Sequence, residues 1–216
     1  MKLPRELGDL PFGDSLTAYD GPIEDEGHYD GILFESQSLE GSTADHARFV
    51  ECAFTDVTLD DVRLRKSRLS DVWLHDVRLL SADLAGSSWL DATLLGCSGA
   101  GIQAFDASFQ RVTFADCKLD SWNFRGAMLT DVAFDHCLLR DTDFNGAKLK
   151  RVTFGGCTLT RADFSRVTLQ KADLRGAELG ITAGYESLRG AIMTTAQLIS
   201  IAPVLAQQIG IDIKDS

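Results

Sequence analysis

From Phe34 to Leu179 the chain returns to a large apolar residue every five positions. Thirty positions fall in this register and 27 carry Leu, Phe or Trp, the exceptions being Ala44, Gly99 and Ala104. Two residues before each centre, 26 of the thirty positions hold Ala, Ser, Thr, Cys or Val; Ile32, Gln37, Ile102 and Trp122 depart from this. A period of five matches neither the 3.6 of a helix nor the 2.0 of a long strand. Within each quintet, however, the small and the large residue stand two apart, which puts both side chains on one side of an extended backbone. The next two positions are mostly Asp, Gly, Ser, Arg or Lys, residues of turns and surfaces. Each quintet therefore reads as a very short extended piece followed by a corner.

A second period sets how the pieces stack. The segments VTFADCKLDSWNFRGAML from 112, VAFDHCLLRDTDFNGAKL from 132 and VTFGGCTLTRADFSRVTL from 152 repeat Val, Phe, Cys, Leu, Phe and Leu at a spacing of twenty. Four quintets make one coil, and residue n lies over residue n+20. The chain is thus expected to form an all-β solenoid with four sides and about 7.5 coils, with coils roughly 4.8 Å apart and the rod about 36 Å long. Cys97, Cys117, Cys137 and Cys157 share one inward column below Val57 and Val77, and Cys52 takes the equivalent slot on another face. A linear column suits neither a disulfide, whose side chains must converge, nor tetrahedral zinc, so these cysteines are expected to be core.

The rhythm weakens at GCSGAGIQAF (96–105), where Gly99 and Ala104 are undersized centres. Two readings stand: a local bulge, or a space filled by the indole of Trp122, the one bulky residue in a small slot. Nearby, Leu80, Leu90, Leu95 and Phe105 fall at outward positions. They form either an exposed binding patch or part of a deformed coil that turns them in.

The ends of a solenoid need covering. Residues 1–30, rich in Pro, Gly and acid, are expected to form an irregular leader over the first coil, with the repeat region spanning 31–180. In 181–216, Leu198, Ile201, Leu205 and Ile209 recur at helical spacings; Thr194 with Gln197 makes a capping box, and Gly210 suits the helix stop. Pro203 either kinks this helix or opens a second segment, and the apolar IDI at 211–213 reads as a short strand. The helix either only caps the last coil or also pairs with a second copy through Leu198, Ile201, Leu205 and Ile209, giving a homodimer.

Charge changes the picture in one respect. The net charge is −11, but residues 1–61 hold 15 acidic and 3 basic residues while 62–216 hold 17 and 18. Such a surface disfavours direct nucleic-acid or membrane binding. No run of apolar residues is long enough for a membrane span, and the first fifteen residues lack the apolar stretch of a secretory signal, so a cytoplasmic protein is expected. The four histidines pair in no ligand or triad spacing, and no phosphate-cradling or nucleophile motif occurs. No catalytic residue, metal or cofactor is expected, and the chain is not read as an enzyme.

The quintets ADLAG (82–86), AKLKR (147–151), ADFSR (162–166) and ADLRG (172–176) resemble those of the pentapeptide-repeat family, over about residues 30–180. That resemblance implies a right-handed quadrilateral β-helix. The ending LRGAIMTTAQLISIAPVLAQQIGIDI (188–213) is similar to the tail of the quinolone-resistance members. For those it implies a rod-shaped acidic homodimer that mimics DNA, binds DNA gyrase or topoisomerase IV, and modulates or protects it from fluoroquinolones. The candidate contact is an acidic stripe of Glu35, Asp56, Asp76, Asp116 and Asp135, joined on a neighbouring face by Glu40, Asp60, Asp61, Asp120 and Asp141. Against it stands the basic run of 148–175, with Lys148, Lys150, Arg151, Arg161, Arg166, Lys171 and Arg175, which would flank the dimer centre. The alternative is an interaction scaffold with a partner that is not a topoisomerase.

Overall fold

Every fifth residue from Glu26 to Gly176 sits at positive φ in the computed structural model, which describes residues 3–214. This left-handed backbone costs an ordinary L-residue roughly 1–2 kcal/mol; glycine adopts it freely, and Asp and Asn are enriched there. Nine of these corners are Gly and nine are Asp, among them Asp56, Asp76, Asp91, Asp116, Asp131 and Asp141. Between corners, the three-residue strands pair in parallel with those twenty residues on, as in Thr93↔Thr113 and Leu94↔Phe114.

The quintets stack into four faces. The first is an eight-stranded sheet from His28–Asp30 to Thr168–Gln170. The second has ten strands, from Thr17–Ala18 to Ala191–Ile192, and the third seven, from Thr58–Asp60 to Glu178–Ala183. The fourth is linked by single bridges running from Thr43↔Arg63 to Asp143↔Asp163. This is the four-sided parallel solenoid that the two periods predict.

Its interior is a set of columns. Phe34 stacks on Phe54 at 4.5 Å, and Phe134 lies between Phe114 and Phe154 at 4.8 and 5.0 Å. The cysteines are buried and free, as the column predicts. The Cys137 thiol donates to the Phe114 carbonyl at 3.3 Å. Burial pushes Cys52 up to about 11, and Cys137 is pushed up to about 12, first by its hydrogen bond with Cys117 and then by burial. Such thiols are structural and inert.

Across 96–105 the strand does not bulge: Gly99 pairs in register with Leu79 and Leu119. The Trp122 indole occupies the space instead, its ring atoms 2.5–2.9 Å from where a Gly99 Cβ would stand. It stacks on Phe124 at 5.4 Å and meets Phe114 edge-on at 6.0 Å, with its buried N–H lacking a hydrogen-bond partner. Van der Waals packing, not polar satisfaction, holds it there.

Both ends differ from the sequence expectation. Among the described residues, those of the expected leader that cover the first coil are 17–30: Thr17–Ala18 pairs with Ile32 and Leu33, Tyr19 meets Phe34 edge-on at 5.6 Å, and Tyr29 stacks on Phe49 at 4.8 Å. The repeat therefore begins at His28–Asp30 rather than at 31. Residues 3–16 run outside the rod over the second face, where Leu3, Leu7, Leu10, Phe12 and Leu16 pack with Ala53, Trp73, Leu95 and Ala115. An apolar outer stripe, of which only Leu95 is conspicuous in the sequence, draws them there. Leu80 and Leu90 stay half-buried on the surface and Phe105 is exposed, so none of these four residues deforms its coil.

At the other end the rod passes residue 180, because Ala191–Ile192 pairs with Ala172–Asp173 at an offset of 19. One residue fewer than a full coil breaks the apolar register while the backbone ladder continues. Helix α1 (Thr195–Gln208) then starts at Thr194, whose hydroxyl accepts the Gln197 N–H at 3.1 Å while Gln197 accepts the Thr194 N–H at 2.9 Å. The Gln197 amide also donates to the carbonyls of Leu174 and Ala177 at 2.6 and 2.8 Å, tying the helix to the last coil. The helix continues through Pro203, and Gly210, at positive φ, follows its end. The expected strand at 211–213 does not form. The segment is exposed, and its backbone bond is a turn from Ile211 back to Ala206, with no strand beside it to pair with.

Trp122→Ala is expected to lower the unfolding free energy by about 3–5 kcal/mol in chemical denaturation. Gly99→Leu alone overpacks the site and costs about 1–3 kcal/mol. The double variant should lose clearly less than the two singles summed; strict additivity would show that the two residues do not share one space.

Candidate acidic interaction surface

The expected stripe resolves into two adjacent columns. Asp56, Asp76 and Asp116 are corner residues one above another, with Gly96 at the intervening corner. Glu35 and Asp135 lie one position earlier, at the outward end of second-face strands. The Asp76, Asp116 and Asp135 side chains are 62%, 52% and 54% exposed. His75 Nε2 lies 3.5 Å from Asp76, His136 Nδ1 3.0 Å from Asp135, the Ser36 hydroxyl 3.5 Å from Asp56, and Arg5 of the leader 3.9 Å from Asp116. The structure thus brings all five residues to one edge of the rod. Their backbone setting supplies a reason for aspartate at three of them that is independent of any partner.

The neighbouring acidic set divides. Glu40, Asp60 and Asp61 remain at the acidic end, but Asp120 faces Arg140 at 3.5 Å and Asp141 is clasped by Arg161. Arginine over aspartate at a spacing of twenty recurs around the rod. Arg111 grips Asp91 through two bonds of 2.6 Å, and Arg151 grips Asp131 in the same way. These guanidinium groups hold Asp91, Asp131 and Asp141 below the usual carboxylate range. Three of the seven basic residues of this run are therefore internally neutralised, Arg151 by Asp131, Arg161 by Asp141 and Arg175 by Asp173. Arg166 donates to the uncharged Asn145, while Lys148 and Lys150 extend from one strand and Lys171 stands at a corner one coil on.

A further acidic column escaped the sequence reading. Glu51, Asp71 and Asp91 occupy corners on the opposite edge of the second face, beside the leader. Burial raises Asp71, with the Asp91 charge adding to the effect. A step of twenty between acidic corner positions was the available signal. Of the expected dimer residues, Leu198 and Ile209 are exposed at 52% and 76%, Leu205 is half-buried, and Ile201 is buried in its own chain. Ile201 faces the rod and so belongs to the cap. Ile199, Ile211 and Ile213 complete the exposed apolar surface at this end.

Among the described residues no cluster of His, Cys, Asp and Glu is arranged to hold a metal ion, and no helix is long and apolar enough to cross a membrane. The surface can offer rows of carboxylates at fixed intervals, and apolar area at the helical end.

Two sequence models of one repeat match the chain. One described as "Pentapeptide repeat region" covers residues 106–182, and one described as "Pentapeptide repeats (8 copies)" covers 38–71. They cover 77 and 34 residues, 111 of the 216. Comparison with curated proteins gives no match. Solved structures similar to this one include a trypsin-treated form of QnrB1, a plasmid-mediated fluoroquinolone resistance protein, at 19% identity and a TM-score of 0.45, covering 92% of this chain and 96% of that one. A pentapeptide repeat protein of the Arabidopsis thaliana thylakoid lumen is 15% identical, with a TM-score of 0.44 and coverages of 57% and 77%. HetL of Nostoc sp. strain PCC 7120, involved in heterocyst differentiation regulation, is 19% identical, with a TM-score of 0.31 and coverages of 78% and 90%.

The clasped carboxylates make stability depend on acid in a defined direction. Their pKa values are lower folded than unfolded, so their contribution is complete above about pH 4 and is lost as pH falls through the folded values. Melting temperature should fall in that window, and Arg111→Gln or Arg161→Gln should flatten the fall. High salt should also flatten it, because the pairs are exposed.

Proposed function

The chain belongs to the pentapeptide-repeat family, and from that premise we propose that it is a non-enzymatic, cytoplasmic binding protein that occupies the DNA-binding surface of DNA gyrase or topoisomerase IV. It acts there as a DNA mimic, modulating the enzyme or protecting it from fluoroquinolones. The observation that carries this reading is the column of Asp56, Asp76 and Asp116. These carboxylates are repeated at coil intervals on a rod whose backbone is fixed by a continuous ladder. Regular charge on a stiff support suits a basic groove, because complementary potential guides the encounter and sets the register. Likeness of the tail at 188–213 to the quinolone-resistance members supports the same choice of partner.

The dimer belongs to this reading. Leu198, Ile199 and Ile209 leave more apolar surface exposed on α1 and its end than a cap needs. Pairing of two copies there doubles the rod. One observation favours the alternative of a scaffold for another partner: the free acid concentrates in the first coils, which such a dimer carries to its outer tips.

In a supercoiling assay with the gyrase of the same cell, the protein should inhibit at micromolar concentration or relieve fluoroquinolone inhibition. The triple variant Asp56→Asn, Asp76→Asn, Asp116→Asn keeps the corner preference and removes the charge. It should lose the effect while melting close to the parent. No effect of the parent protein in either arm would end the topoisomerase reading.

Sedimentation should show a dimer that Leu198→Asp with Ile209→Asp converts to monomer. A monomer at all concentrations before substitution would refute the end-to-end pairing.

A further inference from the structure

The second face carries a groove with an apolar floor and two acidic edges. Ala53, Trp73, Leu95 and Ala115 form the floor. Glu51 and Asp71 stand along one edge, followed by Asp91 in the clasp of Arg111, and Asp56, Asp76 and Asp116 stand along the other. Residues 3–16 lie in it, with Leu10 buried and Trp73 only 2% exposed. The Trp73 indole donates to the Pro4 carbonyl at 3.3 Å, and Arg5 reaches Asp116. No strand pairing ties residues 3–14 to the rod among the described residues; side-chain burial carries most of the attachment.

Two features make this segment a replaceable occupant. It is acidic itself: Arg5 stands against Glu6, Asp9 and Asp14, a balance of −2 between two acidic edges. In addition, the groove runs on past Leu3 and Pro4 over small residues, Thr113, Ala133, Thr153 and Gly155, with Asp135 at its side. The floor thus offers more length than the leader uses, and the free acid lies beside the leader itself, since along the extension one edge carries Arg111 and the Arg151–Asp131 pair.

We propose that this groove is the docking site for an extended, basic segment of a protein partner, with aliphatic side chains on the floor and cations on both edges, and that residues 3–16 occupy it in cis until displaced. The inference rests on reading the rod as a binding protein, and not on the identity of that partner. Leu-Pro-Arg at 3–5 is a worked example of the recognition: an aliphatic side chain on the floor, a carbonyl held by Trp73, and a guanidinium at Asp116. A segment of opposite net charge, with Lys in place of Glu6 and Asp14, gains attraction from the carboxylates of both edges that the acidic leader lacks. The leader lowers apparent affinity by the fraction of time it is seated.

The test uses the full chain and a labelled peptide with the sequence of residues 3–16 carrying Glu6→Lys and Asp14→Lys. Fluorescence anisotropy should show saturable binding that weakens with salt. Binding should tighten at least about tenfold when Leu10→Asp loosens the leader of the full chain. In that variant Trp73 emission should shift to the red and return on peptide addition, with Trp73→Phe abolishing the signal. Arg5→Glu provides a second, milder release should Leu10→Asp melt abnormally, and it should tighten binding in the same direction. Absence of saturable binding in the parent and in both release variants overturns the proposal, as does binding that neither release changes. A rod that acts on gyrase but ignores the peptide refutes this inference alone; one that binds the peptide and leaves gyrase untouched refutes only the topoisomerase reading.

Discussion

A left-handed backbone conformation at every fifth residue is the constraint on which the rest of this protein depends. Each corner carries a cost for an L-residue, repeated along the rod, and the inter-coil hydrogen bonds together with the buried columns offset it. The corners fix where the strands begin, so they fix which side chains face inward. They also decide surface chemistry. Asp and Gly are well suited to the conformation and fill eighteen of the 31 corners from Glu26 to Gly176, so backbone demand favours acid before any partner acts, while Lys or Arg takes six of the others.

Inside, the same repetition makes packing a matter of columns. Phenylalanine rings stack with their counterparts twenty residues away, and the small slots hold buried Val, Ala or Cys, none of which reaches the size of a centre residue. Gly99 and Trp122 show how a column tolerates an exception. The missing leucine is replaced from the next coil by an indole, without a shift in strand register. The defect is repaired by side chains, and the backbone ladder does not record it.

The solenoid, its four sides, the inward cysteines and the helix cap at Thr194 were all legible in the sequence, because each follows from spacing along a single chain. What was not legible depended on surfaces meeting. Ala53, Trp73 and Ala115 look unremarkable in a linear reading, since Ala and an isolated Trp carry no periodic signal. Only stacking joins them with Leu95 into a stripe that the leader covers. The apparent end of the repeat at 180 was a register slip of one residue, which hides pairing from a period search but not from the backbone. Within the candidate surface, sequence located the five carboxylates but not the Arg–Asp clasps that neutralise other rows, nor the second acidic edge beside the leader.

The fixed step of twenty residues has a consequence for how such a rod changes its length. Inserting or deleting one whole turn leaves every downstream side chain on its original side and shifts it along the axis by one strand spacing, about 4.8 Å. Inserting a single quintet preserves the inward and outward alternation equally well, yet rotates all that follows by a quarter turn. The edge bearing Asp116 would then no longer continue that of Asp76. Core and surface therefore answer to different arithmetic: the interior reads the chain modulo five, and the faces read it modulo twenty.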